Sequence, residues 1–445
     1  MSMYRFVHLS DIHFGQEKNG TLVIHEDVRD ELVLDAERMA REHGAAHAIL
    51  VNGDVAYSGK PQEYVRAAEW LDRLCLATGC PRTAVCVVPG NHDIDLDRIE
   101  YLANIVQKRL QAAPADLAQG DLEEFGKSEE NNPLLPKLKA YREFAEQYGC
   151  GFEDAASPSW TRNFEFPGGH TLAVAGLTSV QVSDKSDRHG SLVLGNRQYA
   201  GLMRHPNLEY IVLVHHPLEW FKDAVQARQY LHSRARVLMF GHEHVPDINK
   251  ISDSQDTERL VIFSGATNPE EASVVYGHTY NWIEMSERVE NAMQKLAVVV
   301  RPRVWVPVQT KFDADRERLG GPDWREFTIA CPRFQTNVDD SSATAEFPGG
   351  NCAGLGGAAM LSDRDERFDR LRLLFWRYLN WRDRLSTLVT LDLLPSTPDR
   401  PLPQTLEKTA LNQARSDRKL ARLWDEVMQY VPVGEREANP FKVEE

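Results

Sequence analysis

The sequence contains no run of about 18 apolar residues, so no segment of it reads as a membrane span. Its start, Met1-Ser2-Met3-Tyr4-Arg5, lacks the basic segment, apolar stretch and small-residue cleavage site of a secretion signal, and leads straight into a strand-like run. No C-x-x-C pair occurs among the six cysteines, Cys75, Cys80, Cys86, Cys150, Cys331 and Cys352. They read as free thiols in a reducing cytoplasm, with Cys86 a small hydrophobe inside an apolar run. Positive charge is also short: 51 Lys and Arg against 66 Asp and Glu leave a formal net charge of −15. That balance argues against a broad groove tracking many phosphates. It leaves room for a small phosphorylated substrate, because bound divalent cations bring their own positive charge. There is no internal repeat of fixed period.

What is present suits an ordinary globular chain: 445 residues, 42% hydrophobic and 26% charged, enough for two or three units. The first 270 residues alternate short apolar runs with amphipathic segments, as in a layered α/β domain. Strands are expected at Tyr4–Leu9, Ala48–Val51, Val85–Val88, Leu172–Leu177, Tyr210–Val214, Val237–Phe240 and Leu260–Phe263. Helices are expected over 25–42, 61–77 and 96–112. Residues 113–135, polar and broken by Pro114, Gly120, Gly126 and Pro133, read either as an inserted loop or cap over the substrate, or as a surface insertion. From 272 to 310 the runs Val274–Tyr276, Tyr280–Met285, Leu296–Val300 and Val304–Val306 suggest an antiparallel meander completing a second sheet. These elements make up a domain over 1–332. Residues 333–363, rich in Gly, Ala, Ser and Asp, read as a flexible linker, and 364–445 as a small all-α region with helices over 368–381 and 406–428.

Five strand-like runs end in side chains able to bind metal: Asp11 and His13, Asp54, Asn91 and His92, His215, and His242 and His244. Taken singly each has an ordinary reading. Asp11 can cap a helix, Asn91 can sit in a turn, and His215 can be a hydrogen-bonded core histidine. In open α/β sheets, however, ligands bind beyond the carboxyl ends of strands, so five such ends in register point to one crevice. If extended backbone continues past Phe240, His242 and His244 project to the same side and Glu243 to the other. Carboxylates, imidazoles and an amide without thiolate suit Mn, Fe, Co or Zn rather than a structural thiolate site. Seven ligands exceed the needs of one ion and suit two ions sharing a carboxylate. Such a pair, about 3.5–4 Å apart, can clamp both oxygens of a phosphoryl transfer and lower the pKa of a bound water.

The ordered set Asp11-Ile12-His13, Gly53-Asp54, Gly90-Asn91-His92-Asp93, His215 and Gly241-His242-Glu243-His244 resembles the calcineurin-like metallophosphoesterases over about residues 3–310. The resemblance implies an αββα sandwich of two sheets with a binuclear metal centre, manganese first, with iron, zinc and cobalt as alternatives. It implies that Asp11, His13 and His244 hold one ion, that Asn91, His215 and His242 hold the other, and that Asp54 bridges them. His92 would meet the substrate phosphate and protonate the leaving group, with Asp93 orienting its ring. Two points stay open. His215 and His216 are neighbours, and the one directly after the strand, His215, is the preferred ligand, with His216 lining the substrate pocket. Gly53-Asp54-Val55-Ala56-Tyr57 also matches the G-D-x-x-Y of purple acid phosphatases, where the tyrosine ligates iron; His13, standing where those enzymes have glycine, leaves Tyr57 a pocket residue.

The D-x-H form and His215-His216-Pro217 look most like the bacterial branch of cyclic-nucleotide and glycerophosphodiester phosphodiesterases. A metal-dependent nuclease effector of a bacterial defence system is the alternative function, and a non-catalytic scaffold a third. The tail weakly resembles the helical adaptor domains of bacterial conflict-system effectors, which implies a protein partner. A bundle packed on the catalytic domain, or used for self-association, is the competing reading. Arg370, Arg372, Arg377, Arg382 and Arg384 are equally consistent with a solvated helix face.

Overall fold

A computed structural model describes residues 3–17, 22–252, 258–269, 277–335, 363–395 and 401–442. Cys352, Val274–Tyr276 and most of the expected linker lie outside the described residues; the other five cysteines are buried and free. In chain order the strands are β1 Met3–Leu9, β2 Ala48–Val51, β3 Val85–Val87, β4 Ser159–Glu165, β5 Thr171–Leu177, β6 Leu208–Leu213, β7 Ala235–Phe240, β8 Asp247–Ser252, β9 Glu258–Phe263, β10 Thr279–Glu290, β11 Met293–Val306, β12 Lys311–Ala314 and β13 Arg325–Ala330. The helices are α1 Leu22–His43, α2 Pro61–Thr78, α3 Tyr101–Ala112, α4 Ala115–Gly126, α5 Lys139–Gln147, α6 Asn196–Ala200, α7 Ala224–Arg234, α8 Arg316–Leu319, α9 Asp363–Tyr378, α10 Trp381–Thr390, α11 Gln404–Ser416 and α12 Leu420–Val427.

The strands form two sheets, ordered β12-β11-β10-β1-β2-β3 with β13 also on β11, and β4-β5-β6-β7-β9-β8. In the first, β1, β2 and β3 run parallel. In the second, β5, β6, β7 and β9 do. The parallel strands of each sheet therefore end on a common edge. The long β10–β11 hairpin joins the first sheet beside β1, from Met3 opposite Ser286 to His8 opposite Asn281, rather than completing the second as expected. Period-two alternation sets the layers. Leu172, Val174, Ile211, Leu213, Val237 and Met239 face the core shared with the first sheet. Their neighbours Ala173, Ala175, Val212 and Leu238 face a second core that includes Leu122 of α4 and Leu231 of α7. Phe6 of one sheet meets Phe164 of the other edge to face at 5.2 Å.

Residues 113–135 are not an irregular loop: α4 occupies Ala115–Gly126 and buries Ala118 and Leu122. Gly126, which reads as a breaker, is needed for close packing, since a Cβ there would lie 2.3 Å from Ala156 Cα. The C-terminal region is all-α but shares the main core, to which Leu371, Leu374 and Phe375 of α9 belong. The expected helix over 406–428 is two helices, broken where Arg418 takes a left-handed φ of 55°. Nor are all the arginines solvated. Arg384 is buried against Glu407 at 3.2 Å. Arg377 reaches back to Gln147 Oε1 at 3.0 Å and the Tyr148 hydroxyl at 3.1 Å.

Candidate metal centre

The carboxyl ends of β1, β2, β3, β6 and β7 meet at the edge where the two sheets adjoin, so all five motifs converge. The loops after β1 and β2 stay laddered beyond the sheet, with Asp11 N to Gly53 O at 3.0 Å and Phe14 N to Val55 O at 2.9 Å. Asn52, whose role the sequence reading missed, ties the sheets together at this point. Its amide donates to Val214 O at 3.2 Å and Met239 O at 2.5 Å, the last turns of backbone before His215 and His242. Its main-chain carbonyl accepts from His215 Nδ1 at 2.7 Å and Ser10 Oγ at 3.0 Å. The signal available was an Asn directly between the apolar run ending at Val51 and Gly53, since a polar side chain at the end of a buried strand must find partners.

Asp54 stands at the middle. Its Oδ2 lies 3.3 Å from both His13 Nε2 and His215 Nε2, and its Oδ1 accepts from His92 N at 2.8 Å. Asp11 Oδ1 lies 3.0 Å from His244 Nε2. Asn91 Oδ1 lies 3.1 Å from His215 Nε2 and 2.9 Å from His242 Nδ1. His13 Nδ1 donates to Asn268 O at 3.1 Å, which turns its Nε2 inward just as Asn52 does for His215. Ligand atoms of Asp11, His13 and His244, and those of Asp11, Asp54 and His215, fall within 4.8 Å of one another.

His242 and His244 converge by a route other than extended backbone. The strand stops at Phe240, and His242 (φ 68°) and His244 (φ 56°) are left-handed, as are Asp11 (54°), His13 (53°) and Asp54 (53°). Such residues cost about 1–3 kcal/mol each and cluster at functional sites. Glu243 does turn away, accepting from Trp220 Nε1 at 2.8 Å, and the indole stands edge-on to the His242 ring at 4.3 Å. The motif glycines allow the loops to abut. A Cβ on Gly241 would lie 3.0 Å from Asp11 Oδ2 and 2.8 Å from Asn52 O.

Two expectations are corrected. Asp93 does not orient the His92 ring: His92 Nδ1 donates to Tyr57 O at 2.9 Å, and the two rings stack at 5.0 Å. Asp93 turns back to close its own turn, accepting from Gly90 N and Ala56 N, both at 2.9 Å, and from the Tyr64 hydroxyl at 2.9 Å. It therefore shapes the loop that presents Asn91 and His92. His216 does not line an open pocket; it is wholly buried, 2.8 Å from Ser179 Oγ, with Trp220 and His242 packed over it. One of its ring nitrogens lies within 4.8 Å of a ring nitrogen of both His215 and His242, but it forms no hydrogen bond or ion pair with Asn91 or Asp54, whereas His215 lies 3.1 Å from Asn91 Oδ1 and 3.3 Å from Asp54 Oδ2. Tyr57 remains at the rim through its stack on His92.

The electrostatics fit a pair of cations. Burial opposes charge on His13 and His215, yet the Asp54 and Asp11 carboxylates override it and raise both imidazoles to about 9. Burial likewise works against Asp54, but the surrounding histidines hold its carboxyl well below the usual range. Burial and His215 push His242 down to about 3. The site thus draws in positive charge, and its nitrogen and oxygen donors suit divalent ions.

Residues 4–246 match the family model of the calcineurin-like phosphoesterases. The chain belongs to that family. Residues 367–429 match the GTPase-associated adaptor domain. A metallophosphoesterase-like protein of Bacillus subtilis (strain 168), YydB, is 23% identical over 273 residues, covering 59% of this chain and 53% of the relative. The chain thus matches about half the length of that curated relative. Among solved structures, the NAD nucleotidase of Haemophilus influenzae aligns with a TM-score of 0.35 at 10% identity, covering 94% of this chain and 61% of that one. Purple acid phosphatase PPD1 of yellow lupin aligns at 0.38 and 13%, covering 78% and 57%. No helix among the described residues is long and apolar enough to cross a membrane.

Proposed function

We propose that the protein is a binuclear metal-dependent phosphoesterase that hydrolyses a phosphodiester of a small organic phosphate, such as a cyclic nucleotide or a glycerophosphodiester. The observation that carries this reading is Asp54, one carboxylate set 3.3 Å from imidazoles of both sheets, as a bridging ligand must be. Asp11, His13 and His244 would hold one ion, and Asn91, His215 and His242 the other. When bound, the ions, manganese first, neutralise phosphoryl oxygens and make a water acidic enough to attack at neutral pH. The chain's own residues do the rest. His92, its Nδ1 hydrogen given to Tyr57 O, keeps Nε2 for the substrate phosphate and the leaving oxygen. Tyr57 steadies that ring, and Asp93 with Tyr64 holds the turn that carries it. The preference for a diester rests on the D-x-H form and on His215-His216-Pro217. A cytoplasmic location is supported by the five buried free thiols.

The adaptor-domain match favours a second reading of how the enzyme is deployed, as an effector recruited by a protein partner, a GTPase-linked one by that domain's description. In that setting the substrate becomes a nucleic acid, against which the net charge of −15 counts. The test is a panel of cyclic nucleotides, glycerophosphodiesters, phosphomonoesters, single-stranded DNA and RNA, each with Mn. Bis(p-nitrophenyl) phosphate hydrolysis that disappears in Asp54→Ala and His242→Ala is expected. Fewer than two metal equivalents after Mn reconstitution, with no turnover of any ester, refutes the enzyme reading.

A further inference from the structure

At the opposite ends of β6 and β7 from the metal centre lies a cavity of about 1000 Å³, lined by Arg204, Tyr230, His232, Arg234, Arg236 and Arg333 among others. Six-residue strands put it roughly 20 Å from the ligand histidines. Four guanidinium groups in one concavity are unusual in a chain of net charge −15.

Two of the four are committed to the fold. Arg236 donates from Nε to Glu209 at 3.1 Å and from Nη1 to Glu258 O at 3.2 Å. Arg333 donates to Leu208 O at 2.7 Å and Ser233 O at 3.2 Å, and also bonds Glu209. One carboxylate, Glu209, therefore serves both. The other two have no acid. Arg234 gives Nε to Leu202 O at 2.6 Å and Nη1 to Ser233 Oγ at 3.1 Å and Tyr230 O at 3.4 Å, and lies over the Tyr230 ring at 4.5 Å; its Nη2 is not used in these bonds, and no ion pair is formed with it among the described residues. Burial and the like charges of Arg204 and Arg333 lower its pKa. Arg204, exposed at the rim, makes neither a hydrogen bond nor an ion pair among the described residues.

An arginine kept for structure saturates its N–H groups on carbonyls and carboxylates. Arginines that crowd one another around a cavity, with N–H groups to spare, are arranged for an anion whose geometry matches the guanidinium fork. A concave wall of one sign also concentrates the field. The volume is that of a site for a nucleotide-sized ligand.

We propose that this cavity is a second ligand site, which binds a phosphorylated small molecule through a di- or triphosphate chain laid on Arg204 and Arg234. Such a ligand would relieve the repulsion between the two, and would sit apart from the metal centre.

The test is calorimetric titration of the full, metal-depleted protein with tripolyphosphate and with ATP. Metal depletion matters, because ions held at the centre would themselves take the phosphates of either probe. One equivalent of each probe is expected to bind, with affinity lowered at least about tenfold in Arg204→Glu. Arg204→Glu is also expected to leave the ligand-free melting temperature unchanged or raised, since that arginine holds nothing in place. Arg234→Gln serves as the second variant. Absence of binding by the wild-type protein overturns the proposal. So does equal affinity in Arg204→Glu, or binding that Asp54→Ala abolishes, which would move the ligand to the metal centre.

Discussion

Gly90→Ala separates steric from conformational effects at the centre. Gly90 has φ −107° and ψ −178°, a conformation open to any residue, so alanine brings no backbone strain. Its Cβ, however, would stand 2.1 Å from Asp54 Oδ1 and 2.6 Å from Asp54 N. Ordinary contact begins at 3.4 Å, so the carboxylate or the Asn91 loop must retreat by about 1.3 Å. Neither has room, because Asp54 is 1% exposed and wedged between His13 and His215. Overpacking of this kind costs about 1–3 kcal/mol of stability, which a domain of this size survives. Misplacing a reacting group by about 1 Å costs roughly a hundredfold in rate. The expected result is a folded protein that melts a few degrees lower, retains fewer than two Mn equivalents by elemental analysis, and hydrolyses bis(p-nitrophenyl) phosphate at least about a hundredfold more slowly. Gly120→Ala, in α4 with nothing within 4 Å of the new Cβ, is the control and is expected to be neutral or slightly stabilising. A Gly90→Ala enzyme with two Mn equivalents and the wild-type rate would refute the placement of Asp54 as the bridge.

His92→Asn is expected to keep both metal equivalents while kcat falls by roughly two to four orders of magnitude; a parallel loss of metal would assign His92 to coordination instead. The stability of the metal-free protein is expected to peak near the ordinary histidine pKa, about 6.5. Burial lowers His8 and His278 to about 4, so between there and 6.5 the unfolded chain binds more protons and stability falls as pH drops. His13 and His215, raised to about 9, bind more protons when folded, so stability falls as pH climbs from 6.5 through 9. Mn is expected to abolish the alkaline limb in urea denaturation, and a metal-free profile without a maximum would refute the argument. Deletion of residues 364–445 is expected to give insoluble or inactive protein, because α9 contributes Leu371, Leu374 and Phe375 to the shared core and each such side chain stabilises by about 1.5–3 kcal/mol. A soluble truncation with full hydrolysis would show a detachable adaptor.

Parts of the fold were legible wherever a local rule governs. The buried parallel strands β1, β2, β6 and β7 contain runs such as Ala-Ile-Leu-Val and Val-Leu-Met-Phe, apolar on both faces, and were found to within one or two residues. β4, Ser-Trp-Thr-Arg-Asn-Phe-Glu, was missed because it is an edge strand whose outward side chains are polar. The α4 helix was missed for a related reason. Gly120 and Gly126 signal a break to local reading, while packing against Ala156 asks for a small residue at the second. The placement of β10 was also beyond local reading, since an antiparallel hairpin can close on the edge of either sheet.

The sequence by itself brought out the candidate donor set and its order along the chain. A strand's apolar run and the residues after it are contiguous, so Asp11, His13, Asp54, Asn91, His92, His215, His242 and His244 could each be assigned to a strand end. Tertiary structure alone decided how those ends meet: Asn52 bridging the two sheets, five left-handed residues turning their side chains inward, and glycines letting the loops touch. It also decided that His92 is held by the Tyr57 carbonyl rather than by Asp93, and that the helical region packs on α5. These contacts join residues far apart in the chain, and such contacts leave no local trace in composition or periodicity.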